Sequence, residues 1–394
     1  MSKKTRTINF HEPSITRDEI DAVVEALESR WLTTGPRTRQ FEADFAAFVG
    51  AEHAIAVNSC TAALHLALEA VGIDAGDEVL TTPMTFAATA EVIRYFQATP
   101  VFVDIEADTM NIDVARLEET LAARRAAGAR VKAVLPVHYA GHPCEMEAIL
   151  ELARRHGLSV IEDAAHALPA AVDGKMIGCI GDITCFSFYA TKTITTGEGG
   201  MITTGNDEFA RRMRMMSLHG IDRDAWNRYA LDSGWYYEIV APGFKYNLTD
   251  IAASLGIVQL RRAGALRRRR ESIAARYNQA FAAVPQLTLP AARENVRHSW
   301  HLYVLRLKGD ALAVSRDRFI EELRARGIGT SVHFIPLHIH PYYQKKYGYK
   351  PNDFPVAHDN FQRMISLPIH PGMSDEDVDY VSEAVLEIAA AGSR

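Results

Sequence analysis

Between residues 54 and 163 the chain alternates short apolar or β-branched runs with longer amphipathic ones, which limits its fold more than any other feature. Strand-like runs fall at 54–57, 79–82, 100–104, 131–137 and 159–163. Helical patterns fill the gaps at 61–71, 87–96, 113–127 and 145–156. This alternation predicts a mainly parallel α/β sheet covered by helices on both faces. Right-handed crossovers then bring the carboxyl ends of several strands to one edge, where open α/β sheets bind ligands.

Two helices precede this region. Residues 16–30 carry Thr16 as N-cap and Ile20, Val23, Val24 and Leu27 on one face. After a break at 31–36, a second pattern carries Phe41, Phe45, Phe48 and Val49. Downstream, periodicity fades over 217–247, where Trp226, Tyr229, Trp235, Tyr236, Tyr237, Phe244 and Tyr246 crowd together. So many aromatics are costly to leave in water, which favours an interface over an ordered surface loop. A long helix is predicted over 249–283. A smaller α/β unit follows it, with strands at 300–307 and 330–334 and helices at 315–326 and 374–390. The expected units are 1–255 and 256–394, divided within the long helix. With 394 residues and 48% hydrophobic content, the chain can bury two such cores.

Charge and cysteine usage narrow the partners. A net charge of −6 and a pI of about 6.2 give no global field for nucleic acid or acidic membrane. The basic run Arg261, Arg262 and Arg267 to Arg270 reads as a solvated helix face beside Glu271. Cys60, Cys144, Cys179 and Cys185 show no CxxC spacing, against a zinc site or disulfide framework. No apolar signal core opens the chain and no run reaches about 18 apolar residues, so a cytoplasmic protein is expected.

The stretch 181–204, GDITCFSFYATKTITTGEGGMITT, centres on Lys192. It reads as a buried strand at 183–188, a tight turn at Gly197, Gly199 and Gly200, and a second strand at 201–204. A lysine ending a core strand is either a surface residue on a hairpin rim or a desolvated amine. In the second case its pKa falls from about 10.4, which suits Schiff-base formation with an aldehyde. Two other features bear on the choice. Asn58-Ser59-Cys60-Thr61 lies between a strand and a helix, and supplies either ordinary caps or a helix-start cradle for a phosphate. Asp163 ends an apolar strand as either a helix cap or a working carboxylate. Pyridoxal 5′-phosphate uses all three: an anion cradle, a lysine for the aldehyde, and a carboxylate against the ring nitrogen.

Three strings then carry a resemblance: Glu162-Asp163-Ala164-Ala165-His166-Ala167, Ser187-Phe188-Tyr189-Ala190-Thr191-Lys192 with Gly197-Glu198-Gly199-Gly200 behind it, and Gly243-Phe244-Lys245-Tyr246-Asn247-Leu248-Thr249-Asp250. Together the chain resembles the DegT/StrS-type sugar-nucleotide aminotransferases, of the fold type I class of pyridoxal phosphate enzymes. The resemblance runs from Trp31-Leu32-Thr33-Thr34-Gly35-Pro36 to the terminal unit, and implies a seven-stranded sheet in the large unit. It implies Lys192 as the Schiff-base lysine and Asp163 as partner of the pyridinium nitrogen. Ser187, Thr61 and the backbone at Cys60 are implied to bind the phosphate. Phe86 matches the aromatic stacked on the ring, where many relatives carry tryptophan or tyrosine; core packing is the other reading. His166 matches a His or Gln near the ring hydroxyl, or is a satisfied buried histidine. Asn247 matches a residue reaching the neighbouring subunit's phosphate, which implies a homodimer with shared active sites. His333 matches a position beside the sugar. His338, His340 and His370 acquire no role, and no carboxylate supports a metal at His338 and His340.

The implied reaction passes an amino group from L-glutamate, which leaves as 2-oxoglutarate, to a nucleotide-linked keto-sugar. Residues 332–343 look most like members acting at C4 of a UDP-4-keto sugar, either a pentose or a 6-deoxy-hexosamine. Amination at C3 and GDP- or dTDP-linked sugars remain alternatives. A sugar dehydratase on this fold replaces the lysine with histidine, so Lys192 counts against it. A non-catalytic regulator is disfavoured by intact Asp163, Ser187 and Lys192.

Overall fold

The computed structural model describes residues 6–222 and 236–392. Its central sheet has seven strands, in the order His53–Val57, Gly200–Thr204, Ile183–Ser187, Ser159–Asp163, Arg130–Leu135, Asp77–Thr81 and Thr99–Phe102. All neighbours are parallel except at Gly200–Thr204, which runs antiparallel to both of its partners. The alternating pattern of the sequence thus gives the sheet it implied. Helices such as Cys60–Ala70, Ala87–Tyr95, Val114–Ala126 and Met146–His156 link the parallel strands. Their apolar faces pack on both sides of the sheet, because parallel strands are buried on both faces.

The reversed strand has a simple cause. The chain leaves Ile183–Ser187 and returns through the loop 188–199 without a crossover helix, so the next strand must run antiparallel. Lys192 therefore sits inside this loop, rather than at the end of a core strand as the sequence suggested. Of the three glycines expected to make a tight turn, only Gly197 takes a left-handed backbone, with φ of +80°. Gly199 and Gly200 are small for steric reasons. A Cβ on Gly199 would strike Thr196 Oγ1, and one on Gly200 would lie 2.6 Å from the Ser59 carbonyl and 2.9 Å from Cys60 N.

The helix Asp250–Phe281 joins two cores. Its Ile257, Leu260, Ala263 and Leu266 pack with Phe41, Phe45 and Phe188. Further along, Ile273, Ala274, Tyr277 and Phe281 pack with Tyr303, Phe319, Ile365 and Val381. We propose that the two units are joined within this helix. The reading of its basic run as a solvated face fails at Arg270, which is 1% exposed. Arg270 follows Ala263 and Leu266 on the inward face, and Nη1 donates to the carbonyls of Trp300, His301 and Ile369.

The second core holds a three-stranded antiparallel sheet of Leu287–Thr288, Tyr303–Leu307 and Met364–Leu367. The strand expected from 300 starts only at Tyr303. Residues 299–302 are drawn off to the large unit, where Ser299 N donates to Gly141 O at 3.1 Å and Leu302 N to Ala140 O at 3.2 Å. No strand forms at 330–334. A single bridge joins Ser331 to Ser366 before the chain turns away toward the site. In the aromatic stretch, Trp226, Tyr229 and Trp235 lie outside the described residues. Phe244 and Tyr246 stack 5.0 Å apart beside His65, while Tyr236 and Tyr237 are exposed.

Candidate active site

Successive strand residues face opposite sides, so Glu162 and Asp163 do different work. Glu162 is fully buried and stitches strands together. Its carboxylate lies 2.8 Å from His138 Nε2 and accepts from Thr184 Oγ1 at 2.7 Å and Gly181 N at 2.8 Å. Asp163, 5% exposed, ends its strand at the carboxyl edge of the sheet. It accepts from Thr89 Oγ1 at 2.8 Å and from Ala165 N at 3.1 Å. Its backbone is pinned to the next strand's end through Pro136 O and His138 N. Burial pushes the Asp163 carboxyl up, and the Thr89 and Ala165 donors, with the Lys192 amine, offset part of that. Thr89 escaped the sequence reading. Its signal was Thr85 one helical turn earlier, whose hydroxyl lies 2.6 Å away.

Lys192 rises from the loop 188–199, whose base is closed by Phe188 N to Gly199 O at 2.8 Å and Thr196 N to Phe188 O at 3.0 Å. The side chain is half-buried in area, but at the floor of a recess its amine has lost most of its water. That desolvation pushes the amine down to about 8, with Cys60 and Asp163 pulling the other way. Lys192 and Asp163 feel each other without forming an ion pair.

The phosphate-cradle candidates come together around Gly200. Ser187 pairs with Gly200, and Gly200 presses on Ser59 and Cys60 at the start of the helix Cys60–Ala70. Ser59 Oγ caps that helix by accepting from Ala62 N at 3.1 Å. The N–H groups of Cys60 and Thr61 find no acceptor among the described residues, as expected of a first helical turn. Ser187 Oγ accepts from Tyr189 N at 3.3 Å.

An aromatic wall closes the other side. Phe334 lies 5.7 Å from His166, nearly parallel at 20°, 6.1 Å from Phe86 and 5.2 Å from His333. His301 backs His166 at 4.4 Å. His333 Nδ1 is 2.9 Å from Ser366 Oγ. Phe86, at the N-cap of Ala87–Tyr95, is 64% exposed, which excludes the core reading of that residue. Burial, with Lys192 adding to it, pushes His333 down to about 4 and His166 far below the usual histidine range. His301 is pushed the same way by burial and then by His166. These imidazoles are neutral, and the Nδ1 of His166 and of His301 is buried without a partner among the described residues. Phe334 and His301 were missed as site residues because only tertiary packing brings residues 298–302 and 332–334 to this edge.

The backbone of Asn247 bridges Val57 beside the helix start, but its side chain bonds elsewhere. Its amide donates to Thr34 Oγ1 at 2.7 Å and accepts from Lys245 Nζ at 2.6 Å. It lines a hollow of about 1090 Å³ with Trp31, Thr33, Arg39 and Arg211, to which Lys192 and Asp163 do not contribute. Three residues on, Asp250 accepts from Gly35 N at 2.8 Å, Thr38 N at 2.9 Å and Thr38 Oγ1 at 2.7 Å. The strings at 31–36 and 243–250 are thus two halves of one clamp. His338 Nε2 lies 3.0 Å from Pro351 O and His340 Nε2 3.3 Å from Ile335 O. Among the described residues no group of three or more His, Cys, Asp or Glu could hold a metal ion, and no helix is long and apolar enough to cross a membrane.

These residues fit pyridoxal 5′-phosphate. A desolvated amine, a buried carboxylate with donors on both oxygens, and two free N–H groups at a helix start are near neighbours, since Lys192, Asp163 and Cys60 act on one another electrostatically. Neutral imidazoles and an exposed aromatic ring border them.

The model of the DegT/DnrJ/EryC1/StrS aminotransferase family matches residues 13–386. The chain is 52% identical over 389 residues to the spore coat polysaccharide biosynthesis protein SpsC of Bacillus subtilis, covering 98% of both chains. Its structure is similar to that of the putative sugar aminotransferase Spr1654 from Streptococcus pneumoniae in its PMP form. The TM-score is 0.90 at 36% identity, over 98% of this chain and 100% of that one. The aminotransferase PseC of Helicobacter pylori, involved in the biosynthesis of pseudoaminic acid, matches at a TM-score of 0.89 and 31% identity, over 98% and 100% of the chains.

Proposed function

This chain belongs to the DegT/DnrJ/EryC1/StrS aminotransferase family, and we propose that it moves the amino group of L-glutamate to C4 of a UDP-linked 4-keto sugar. Its cofactor is pyridoxal 5′-phosphate, and its reaction class is that of the PLP-dependent sugar aminotransferases. One observation carries the assignment of residues: the Lys192 amine, pushed down to about 8 by desolvation, lies close enough to feel the buried Asp163 carboxylate and to act in turn on His333 and His166.

When bound, the coenzyme supplies an electron sink for the carbanion at the amino-bearing carbon. Lys192 Nζ would hold the coenzyme through its aldehyde and would carry the proton that the reaction moves. An amine near 8 is suited to this, because a useful fraction is neutral near neutral pH. Asp163 would keep the ring nitrogen protonated, an attraction strengthened by its dry surroundings. The N–H groups of Cys60 and Thr61 and the Ser187 hydroxyl would hold the phosphate. Phe86 and His166 would hold the ring, and His333, oriented by Ser366, would meet the sugar.

The Asn247 amide bonds Thr34 and Lys245 rather than a candidate site residue of its own chain, which supports its serving the phosphate of a second copy in a homodimer. The exposed apolar residues Ile20, Val24, Leu27, Leu32, Ile239 and Val240 support a covered surface as well. Sedimentation velocity is expected to give twice the chain's 43.6 kDa. A fully active monomer at assay concentration would refute the shared site.

The nucleotide and carbon are supported by residues 332–343. The likeness to SpsC and PseC supports a role in making amino sugars for polysaccharides or related glycans. A panel of enzymatically made keto-sugars, read by 2-oxoglutarate release from glutamate, tests this. UDP-4-keto sugars are expected to turn over at least about tenfold better, by kcat/KM, than GDP-, dTDP- or 3-keto substrates, a gap on the order of 1.4 kcal/mol. The reverse preference overturns the finer assignment and leaves the family intact.

A further inference from the structure

Residues 6–14 form a strap between the two units. At one end Ile8, buried in the second core, pairs with Ile328, donating to Gly327 O and accepting from Gly329 N, each at 2.8 Å. The strap lies so close that a Cβ on Gly327 would strike Arg6 O, and one on Gly329 would lie 2.7 Å from Phe10 N. At the other end Ser14 O accepts from Gln259 Nε2 at 2.8 Å, and Gln259 Oε1 accepts from Thr195 N at 3.3 Å. Between these anchors Phe10 stacks on His333 at 5.4 Å, and His11 Nε2 lies 3.0 Å from Ala190 O.

Ala190 is two residues before Lys192. A carbonyl only accepts, so His11 Nε2 carries the proton of this bond. Burial, and next Arg270, pushes His11 down to about 4, which leaves the imidazole neutral near pH 7. The loop 188–199 is well closed at its base, but at its tip the only internal backbone bond is Lys192 N to Tyr189 O, at 2.9 Å. Ala190 O has no other donor among the described residues.

We infer that His11 is a positioning residue for Lys192, holding the tip of the lysine loop from the strap through the Ala190 carbonyl. The inference deepens the proposed reading, because it rests on Lys192 being the lysine that takes the coenzyme. On the far side of Lys192 the loop is already anchored by buried Ile194 and Thr195. The Ala190 side is therefore where loss of a tie lets the four-bond side chain sample other positions, and small displacements of a reacting group cost rate. Because the strap also backs His333 through Phe10, one segment places groups on both sides of the recess.

The test compares His11→Ala, His11→Phe and His11→Gln, matched for folded content by circular dichroism. Coenzyme-free full-length protein is mixed with pyridoxal 5′-phosphate, the adduct is fixed with borohydride, and its rate of formation on the Lys192 peptide is measured by mass spectrometry. Steady-state kinetics of the loaded enzymes are measured in parallel. His11→Ala and His11→Phe are expected to capture coenzyme about tenfold more slowly and lose about tenfold in kcat, the scale of one net hydrogen bond. KM for glutamate should stay within about twofold, since the strap's donor acts on Lys192 and not on glutamate. His11→Gln, whose amide keeps a donor, should stay within about threefold of wild type in both rates. Wild-type rates in His11→Phe, or a His11→Gln variant as slow as His11→Ala, overturn the inference. An adduct forming away from Lys192 in wild-type protein overturns instead the reading on which it rests.

Discussion

Lys192→Ala lowers turnover by about 10⁴ or more and abolishes the visible absorbance of the coenzyme-loaded enzyme. Positioned proton transfer alone contributes about 10² to 10⁴, and this substitution removes the covalent anchor as well. Lys192→Arg should fail equally, because a guanidinium keeps the charge and loses the nucleophile. A Lys192→Ala enzyme that still forms 2-oxoglutarate from glutamate within about a hundredfold of the wild-type rate sinks the assignment. The same residue leaves a mark on stability. In coenzyme-free protein its amine titrates near 8, against about 10.4 in the unfolded chain. Between these values the unfolded state binds the extra proton, so stability rises with pH across that window. Below it the penalty for a charged, desolvated amine is fully present, on the order of 1–3 kcal/mol. Urea unfolding of wild type should show this rise, and unfolding of Lys192→Ala should lack it.

Asp163→Asn is expected to lower kcat by about 10² to 10³ with little change in KM, roughly the worth of a charge-assisted bond in a dry site. The shape is conserved, and Thr89 Oγ1 and Ala165 N can still donate to the amide oxygen. Stability should move the other way. Without coenzyme, burial raises the Asp163 carboxyl, so the folded state holds its proton to higher pH than the unfolded state does. Stability then falls as pH rises from the ordinary carboxylate range through the folded value. Asp163→Asn lacks that loss and should unfold at the same or higher urea concentration than wild type at pH 7. A variant both inactive and markedly unstable would mean that Asp163 is a packing residue.

The strands of the sheet and the helix start at Cys60 were legible because each depends on a few adjacent residues. A buried parallel strand needs a short apolar run, and a helix after a strand exposes N–H groups wherever it starts. The Thr16 cap was likewise local, for Thr16 pairs with Glu19 in a capping box. The failures share a cause. Arg270 looked solvated among its neighbours until the helix face was known. The strand expected at 330–334 gave way because a strap from residues 6–10 covers Gly327 and Gly329, and the chain beyond turns to carry His333 and Phe334 into the site.

By itself the sequence determined the sheet, which follows from residue type and short-range pattern, and its resemblance to a family named the coenzyme and made Lys192 and Asp163 the candidates for it. Only the tertiary structure decided that Lys192 rides on a returning loop and that Thr89 holds Asp163. It alone placed His301 behind His166 and His11 on the Ala190 carbonyl. Those contacts join residues up to 179 positions apart. Nothing in a local stretch encodes a distance that is set only when two cores pack against one long helix.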